Sequence, residues 1–247
     1  MKDLFSTQAD AYKKFRPVYP QALYDYIISF VNNRDAALDV ATGNGQAALV
    51  LADYFTKVYA TDISAAQLAN AEKKQKVEYI KSSAEQTFFN PHTFDLITVA
   101  QAYHWFDHKT FATEATRIAK QNAVIAVWLY DRFTTNNAAL NSLMDVFYFD
   151  VTGPYWDSAR THVDNHYNDL PFPYKRLPSQ SFFIEAVWTK QALLGYLSSW
   201  SSVQKYIEVH QASPLLLIQE QLDTLWTFEK VSVRFPIYLH LGRINAQ

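Results

Sequence analysis

Five glycines are spread over 247 residues, and two of them, Gly43 and Gly45, share one short phrase. It reads Ala36-Ala37-Leu38-Asp39-Val40-Ala41-Thr42-Gly43-Asn44-Gly45-Gln46-Ala47-Ala48, an apolar run that meets a turn and then helix-forming residues. In a chain so poor in glycine, a pair at one turn marks a backbone that needs positive φ or close approach. The phrase predicts a strand, a glycine loop and a helix. In an open parallel sheet, such a loop at the carboxyl end of the first strand is where a ligand meets bare backbone.

The rhythm continues downstream. A strand is expected over 57–61, then Ser64 as the N-cap of a helix from 65 to about 74. Strands follow over 77–80 and 94–100, a helix over about 108–120 begun by Asp107, and a strand over 123–129. Near-continuous apolar strands separated by helices are the mark of a parallel sheet covered on both faces. After Tyr130 helical periodicity covers about 138–149, and a loop-like stretch carries Pro154, Pro171, Pro173 and Pro178. A strand is expected at 181–187, helices over 191–226, and a closing strand at 231–241 whose residues alternate apolar and polar. Pro236 inside it predicts a bulge or a sheet edge. The expected fold is α/β, a doubly wound, mostly parallel seven-stranded sheet with a helical cap inserted after the fifth strand.

Composition limits the function classes. With 22 Lys and Arg against 24 Asp and Glu, the formal charge is −2 and the chain lacks the cationic excess that nucleic-acid binding requires. The absence of cysteine excludes disulfides, thiolate metal sites and thiol nucleophiles, and suits a reducing cytoplasm. No run approaches the roughly 18 apolar residues of a membrane span, so neither nucleic acid nor membrane is an expected partner. Oligomeric state leaves no trace.

Gly43-Asn44-Gly45-Gln46-Ala47-Ala48 fits a dinucleotide fingerprint, with an acid, Asp62, about 20 residues on. Asp39 tilts the choice of ligand. A carboxylate at the tip of the first strand would repel a pyrophosphate but suits a cationic amino group, which points to an adenosine carrying an amino acid.

These residues resemble the class I S-adenosylmethionine-dependent methyltransferases, whose Rossmann-like fold matches the strand order expected above. Leu38-Asp39-Val40-Ala41-Thr42-Gly43-Asn44-Gly45 resembles their first motif, with Ala41 where a further glycine is usual. Tyr59-Ala60-Thr61-Asp62-Ile63-Ser64 is similar to the second, which implies that Asp62 binds the ribose hydroxyls beside Ile63. Ser82-Ser83-Ala84-Glu85 resembles the adenine-binding motif, with Ser83 where an aspartate is common and Glu85 as the alternative contact. The phrase 94–102 resembles the fourth-strand motif, which places Ala100 and Gln101 at the methyl donor. S-adenosyl-L-methionine is thus the implied cofactor, held by Tyr12, Asp39, Ala41, Gly43, Gly45, Asp62, Ile63, Ser83, Ala84, Glu85, Ala100 and Gln101.

Two further phrases, 11–20 and Ala102-Tyr103-His104-Trp105-Phe106-Asp107, resemble the small-molecule branch that contains the trans-aconitate methyltransferases. There the N-terminal segment folds over the cofactor, which makes Tyr12 and Arg16 candidate lid residues; without the resemblance, Tyr12 and Phe15 read as one turn of an amphipathic helix packing on the domain. The resemblance divides the chain into a lid and cofactor-binding core at 1–130, a cap at 131–230 with one core strand near 181–187, and a closing strand at 231–247. The implied activity is methyl transfer to a small-molecule acceptor, at oxygen and with a carboxylate favoured.

Methyl transfer is an in-line displacement, so alignment in a dry pocket can supply most of the acceleration. A carboxylate acceptor is already ionised and needs no base. A hydroxyl or amine acceptor would use one, and His104, with an ordinary pKa near 6.5, is the candidate, with a packing role as its alternative. Tyr103 and Trp105 are candidates to face the sulfonium or the acceptor. Arg16 and Arg132 are the cations available to an acidic acceptor. The pairs His104/His108 and His162/His166 have helical spacing, but no further motif accompanies them and no metal is expected. Two rival functions share the glycine loop: a non-catalytic S-adenosylmethionine-binding protein and a nicotinamide-dependent oxidoreductase.

Overall fold

A computed structural model describes residues 17–245. Helix α1 (Gln21–Ile28) precedes β1 (Ala36–Val40), α2 (Gln46–Leu51), β2 (Lys57–Asp62), α3 (Ala65–Ala69), β3 (Val77–Lys81) and β4 (Phe94–Ala100). A single 3-10 turn (Tyr103–Trp105) leads into α4 (His108–Ile118), and β5 (Ala119–Tyr130) follows. The sheet is α/β and doubly wound. Strands β3, β2, β1, β4 and β5 lie side by side in that order, each parallel to its neighbour. Strand order reverses between β1 and β4, which puts the switch point at the carboxyl ends of those two strands.

The two faces of the sheet bury different sets of side chains. Along β5, Val124, Ala126, Trp128 and Tyr130 enter one core, and Ala123, Ile125, Val127 and Leu129 the other. This double burial explains why the central strands read as continuous apolar runs. At the opposite end of the sheet, buried Asp95 fixes the register. Its Oδ2 accepts from the backbone N–H groups of Asp35 and Ala36 at 3.0 and 3.1 Å and from Lys120 Nζ at 2.9 Å.

Beyond β5 come β6 (Thr134–Thr135), α5 (Ala138–Val146) with a π-helical turn (Phe147–Val151), a 3-10 turn (Gly153–Tyr155), α6 (Arg160–Asp164), β7 (Lys175–Arg176) and β8 (Phe182–Trp188). Helices α7 (Lys190–Ser198), α8 (Ser201–His210) and α9 (Gln219–Leu225) then lead to β9 (Val231–Arg243). Strand β9 runs antiparallel, pairing with β5 and β6 on one side and with β7 and β8 on the other. The seven long strands are those expected; β6 and β7 are two-residue additions. Among the described residues, no helix is long and apolar enough to cross a membrane.

Two expectations are corrected, at the helix after Ser64 and at Pro236. The helix after Ser64 stops at Ala69, because the next turn bends back to put the Glu72 carbonyl on Tyr79 Oη, 2.9 Å, and Lys74 Nζ on the Leu49 carbonyl, 2.9 Å. The helices expected over 191–226 are present, with a left-handed Gln211 and a 3-10 turn opened by Pro214 (Pro214–Ile218) between α8 and α9. Pro236 lies at neither a bulge nor an edge: Phe183 pairs with it in β8, and its carbonyl accepts from Asp131 N at 3.0 Å. Its ring nitrogen faces the end of the β5 ladder, where no donor is required.

Candidate active site

The carboxyl end of β1 opens into a cleft lined by Pro17, Tyr19, Asp39, Thr42, Gly43 and Ala100, with Ala41 and Gln101 beside them. Asp39 is its buried floor, and its carboxylate accepts from Thr98 Oγ1 at 2.7 Å and Thr42 Oγ1 at 2.5 Å. Burial pushes this carboxyl up to about 6, against the lowering effect of the two hydroxyls. A buried carboxylate whose described partners are neutral is suited to a cationic ligand group. Asp62 ends β2, where its Oδ2 accepts from Gly43 N at 2.9 Å and its Oδ1 from Ser64 N at 2.8 Å. It therefore clamps the glycine loop beside the position at which it can meet a diol.

The two glycines do different work. Gly43 has φ +59, and an added Cβ would meet nothing nearer than Gln67 Oε1 at 4.0 Å, so the space over it is open. Gly45 has φ +88, and an added Cβ would lie 2.8 Å from Tyr79 Cε1. Gly43 thus leaves room for a ligand, whereas Gly45 makes room for Tyr79. Ala41 carries φ +53, so the loop keeps a left-handed backbone at the position where the resemblance expects glycine.

Further along the second and third strands, Ile63 follows Asp62 at the carboxyl end of β2, and Ala84 is buried. Ser83 Oγ accepts from Gln86 N at 3.2 Å, and Glu85 Oε1 accepts from Asp107 N at 3.3 Å. Both of the alternative adenine contacts are thus engaged in local loop bonds. Asp107 also caps α4, accepting from Thr110 N at 2.8 Å.

A second pocket adjoins the first. Its lining includes His104, Trp105, Arg132, Tyr148, Trp156 and Arg160, and it encloses about 750 Å³ of space that is partly open to solvent. Gln101 and Tyr130 line both cavities. Gln101 has φ +58, and its Nε2 donates to the Tyr130 carbonyl at 3.0 Å. A non-glycine residue held in this region is strained, and such strain collects at functional sites.

Within the second pocket, His104 Nδ1 lies 2.7 Å from Tyr167 Oη. Burial first, and then the positive charge of Arg160, push the His104 imidazole down to about 3. His104 thus reaches the pocket as a neutral imidazole whose basicity is weakened by burial and by Arg160. Tyr103 departs from its expected place. It is buried in the core, its Oη donates to the Pro171 carbonyl at 2.5 Å, and its ring packs edge-on against His108. Consecutive side chains of a 3-10 turn point about 120° apart, so His104 and Trp105 face the pocket when Tyr103 turns inward.

Arg132 lies in the lining, with Nη1 2.6 Å from Asp145 Oδ1 and its guanidinium over Phe149 at 4.5 Å. Arg160 is the residue that sequence reasoning missed. Its guanidinium rests over Trp156 at 4.8 Å, and its Nε donates to Tyr148 Oη at 2.8 Å. Neither terminal nitrogen of Arg160 donates to a described residue. Tyr12 and Arg16 lie outside the described residues. The histidine pairs do not converge: His108 Nε2 donates to the Tyr103 carbonyl, His162 pairs with Asp169, and His166 pairs with Asp131.

A family described as a methyltransferase domain matches residues 38–127. A methyltransferase candidate from Dictyostelium discoideum is 33% identical over 98% of this chain and 95% of its own length. The chain belongs to the class I S-adenosylmethionine-dependent methyltransferases. The solved structure of a type II methyltransferase candidate from Anaeromyxobacter dehalogenans shares 35% identity, with a TM-score of 0.86 over 94% of this chain and all of that one. YcgJ from Bacillus, at 17% identity and a TM-score of 0.53 over 92% of this chain, shares the fold. Membership displaces the nicotinamide oxidoreductase and the non-catalytic alternatives, and the enzyme's cofactor is S-adenosylmethionine. The methyltransferase's cleft fits it: open space over Gly43, the Asp39 carboxylate for an ammonium, and Asp62 at the end of β2.

Proposed function

We propose that this methyltransferase acts on a small-molecule acceptor at oxygen, with a carboxylate favoured, held in the pocket across Gln101 and Tyr130 from the cofactor cleft. Asp39, Gly43 and Asp62 hold the cofactor, which when bound supplies an electrophilic methyl group. The observation that carries the acceptor class is Arg160: a guanidinium oriented by Tyr148 and Trp156, with both terminal nitrogens free of described partners. A carboxylate matches that pair of donors bidentately. Ionised at neutral pH, it also needs no base, in keeping with a neutral His104.

The roles follow. Arg160 and Arg132 bind and turn the acid, Trp105 and Trp156 exclude water around it, and Gln101 fixes the wall that separates acceptor from donor. An acceptor that is already a carboxylate has no proton to lose, so these residues would need only to bind and orient it. The resemblance of the 102–107 phrase to a branch that methylates small acids supports the same reading. Turnover of a carboxylic acid panel against phenols and amines, with labelled S-adenosylmethionine, tests it. Carboxylate turnover lost in Arg160→Ala and retained in His104→Gln is the expected result. Activity confined to phenols or amines and abolished by His104→Gln would replace it with general-base catalysis.

A further inference from the structure

Two consecutive non-glycine residues, His166 and Tyr167, have left-handed backbones, with φ +55 and +60. Such residues are strained and persist only where their surroundings over-determine them. They do so here. The His166 ring stacks on Tyr238 at 3.6 Å with 9° between planes, and its Nε2 lies 3.0 Å from Asp131 Oδ2. The His166 carbonyl accepts from His240 Nε2 at 2.7 Å, and Tyr167 N donates to the His162 carbonyl at 2.8 Å. The result is a buried phenol whose oxygen is held 2.7 Å from His104 Nδ1.

A phenol O–H is a stronger acid than a neutral imidazole N–H, and an imidazole nitrogen accepts better than a phenol oxygen. The proton in this contact therefore belongs to Tyr167, and Nδ1 is the acceptor. A neutral ring with Nδ1 bare carries its own proton on Nε2. Nε2 has no described partner, and the ring lines the acceptor pocket.

We infer that Tyr167 is a positioning residue that fixes His104 as the Nε2–H tautomer, and that this tautomer selects oxygen over nitrogen acceptors. The inference rests on the pocket being the acceptor site. A carboxylate oxygen can accept from Nε2–H with one lone pair and attack the methyl carbon with another. A neutral amine has a single lone pair: bonded to Nε2–H it cannot attack, and while attacking it leaves Nε2–H unmatched. The strained His166–Tyr167 pair is thus a specificity device acting through His104.

Nitrogen NMR of histidine-labelled full-length enzyme tests the tautomer directly. Wild type is expected to show His104 with Nδ1 bare and Nε2 protonated, without titration between about pH 5 and 8. In Tyr167→Phe the ring is expected to populate both tautomers. The ratio of kcat/KM for a carboxylate over its amine analogue then falls about tenfold, the scale of one hydrogen bond. An Nδ1–H tautomer in wild type, or an unchanged tautomer and ratio in Tyr167→Phe, overturns the inference. If Tyr167→Phe does not fold, the wild-type tautomer and wild-type ratio decide alone: Nε2–H with amines turned over as well as acids refutes the selection. The NMR readout needs no acceptor, so failure of the tautomer and failure of the carboxylate reading are told apart.

Discussion

The Gln101 side-chain amide donates to the Tyr130 carbonyl at 3.0 Å, and the two residues together form the wall common to both cavities. Gln101 N also donates to the Trp128 carbonyl at 2.9 Å, so the left-handed residue is pinned to β5 through backbone and side chain. Transfer between two cavities across one wall depends on that wall holding still, since a displacement of about 1 Å can cost on the order of a hundredfold in rate.

Gln101→Leu keeps the size and the strained backbone but removes the amide. Its kcat is expected to fall about tenfold, equivalent to about 1.4 kcal/mol of barrier. Cofactor affinity by calorimetry should stay within about threefold, because one neutral hydrogen bond to Tyr130 is not a cofactor contact. A loss of affinity as large as the loss of rate would show that Gln101 binds the donor instead of placing it.

Ala41 and Gly45 predict opposite effects of exchanging glycine and alanine in one loop. Ala41→Gly relieves a left-handed alanine, worth about 1–2 kcal/mol, against a glycine entropy cost of about 0.5–1 kcal/mol. A net gain of about 0.5–1 kcal/mol in urea unfolding is expected. Gly45→Ala adds strain and drives a methyl into the Tyr79 ring, so a loss of about 2 kcal/mol or more is expected. Equal and small effects at both sites would contradict the loop geometry.

Asp39 is expected to make cofactor binding pH-dependent. Its folded pKa, about 6, is above the ordinary 3.8, so its contribution to apo stability is full below about pH 4 and is lost as pH rises through 6. Binding has the opposite sense, because only the carboxylate attracts an ammonium. Affinity measured by calorimetry should therefore weaken as pH falls through about 6. In Asp39→Asn this dependence should vanish and affinity should drop by about 1–3 kcal/mol, the range for a hydrogen bond to a charged group. A wild-type affinity that is flat from about pH 5 to 8 would count against Asp39 as the ammonium's partner.

The donor side was legible in the sequence because its parts are local: Asp39 ends a strand, Gly43 opens the next loop, and Asp62 ends the neighbouring strand in register. The long strands were legible because burial on both faces leaves an apolar run, and the half-exposed start of β9 leaves alternation at Val231, Ser232, Val233 and Arg234. The acceptor side was not. Arg160 sits in a five-residue helix within a proline-flanked stretch that has no periodicity to read. Tyr167 reaches His104 across 63 residues of chain, a contact made by the fold alone. Tyr103 was misplaced because a one-turn 3-10 segment leaves no pattern by which to tell its inward side chain from its outward ones.

Under the proposed function, variants at Arg160 are expected to separate acceptor binding from chemistry. Its Nε is committed to Tyr148 and, at 3.5 Å, to Asp164, and its plane to Trp156, which leaves both terminal nitrogens without a described partner in a residue that lines the pocket. Arg132, by contrast, has one terminal nitrogen engaged by Asp145, and its plane lies over Phe149. Arg160→Met is therefore expected to raise KM for a carboxylate by on the order of a hundredfold, since a charge-assisted bidentate contact is worth about 1.5–3 kcal/mol. Arg160→Lys should not restore it, because an ammonium cannot hold Tyr148 and grip two oxygens in one plane. Arg132→Met should raise KM less, by about threefold to tenfold, because one of its terminal nitrogens is already engaged by Asp145. Cofactor affinity should be the same in all three variants. The measurements are steady-state kinetics at saturating cofactor and calorimetry of cofactor binding. A larger effect at Arg132 than at Arg160 would move the acceptor's carboxylate to Arg132, and full rescue by lysine would reduce Arg160 to a point charge.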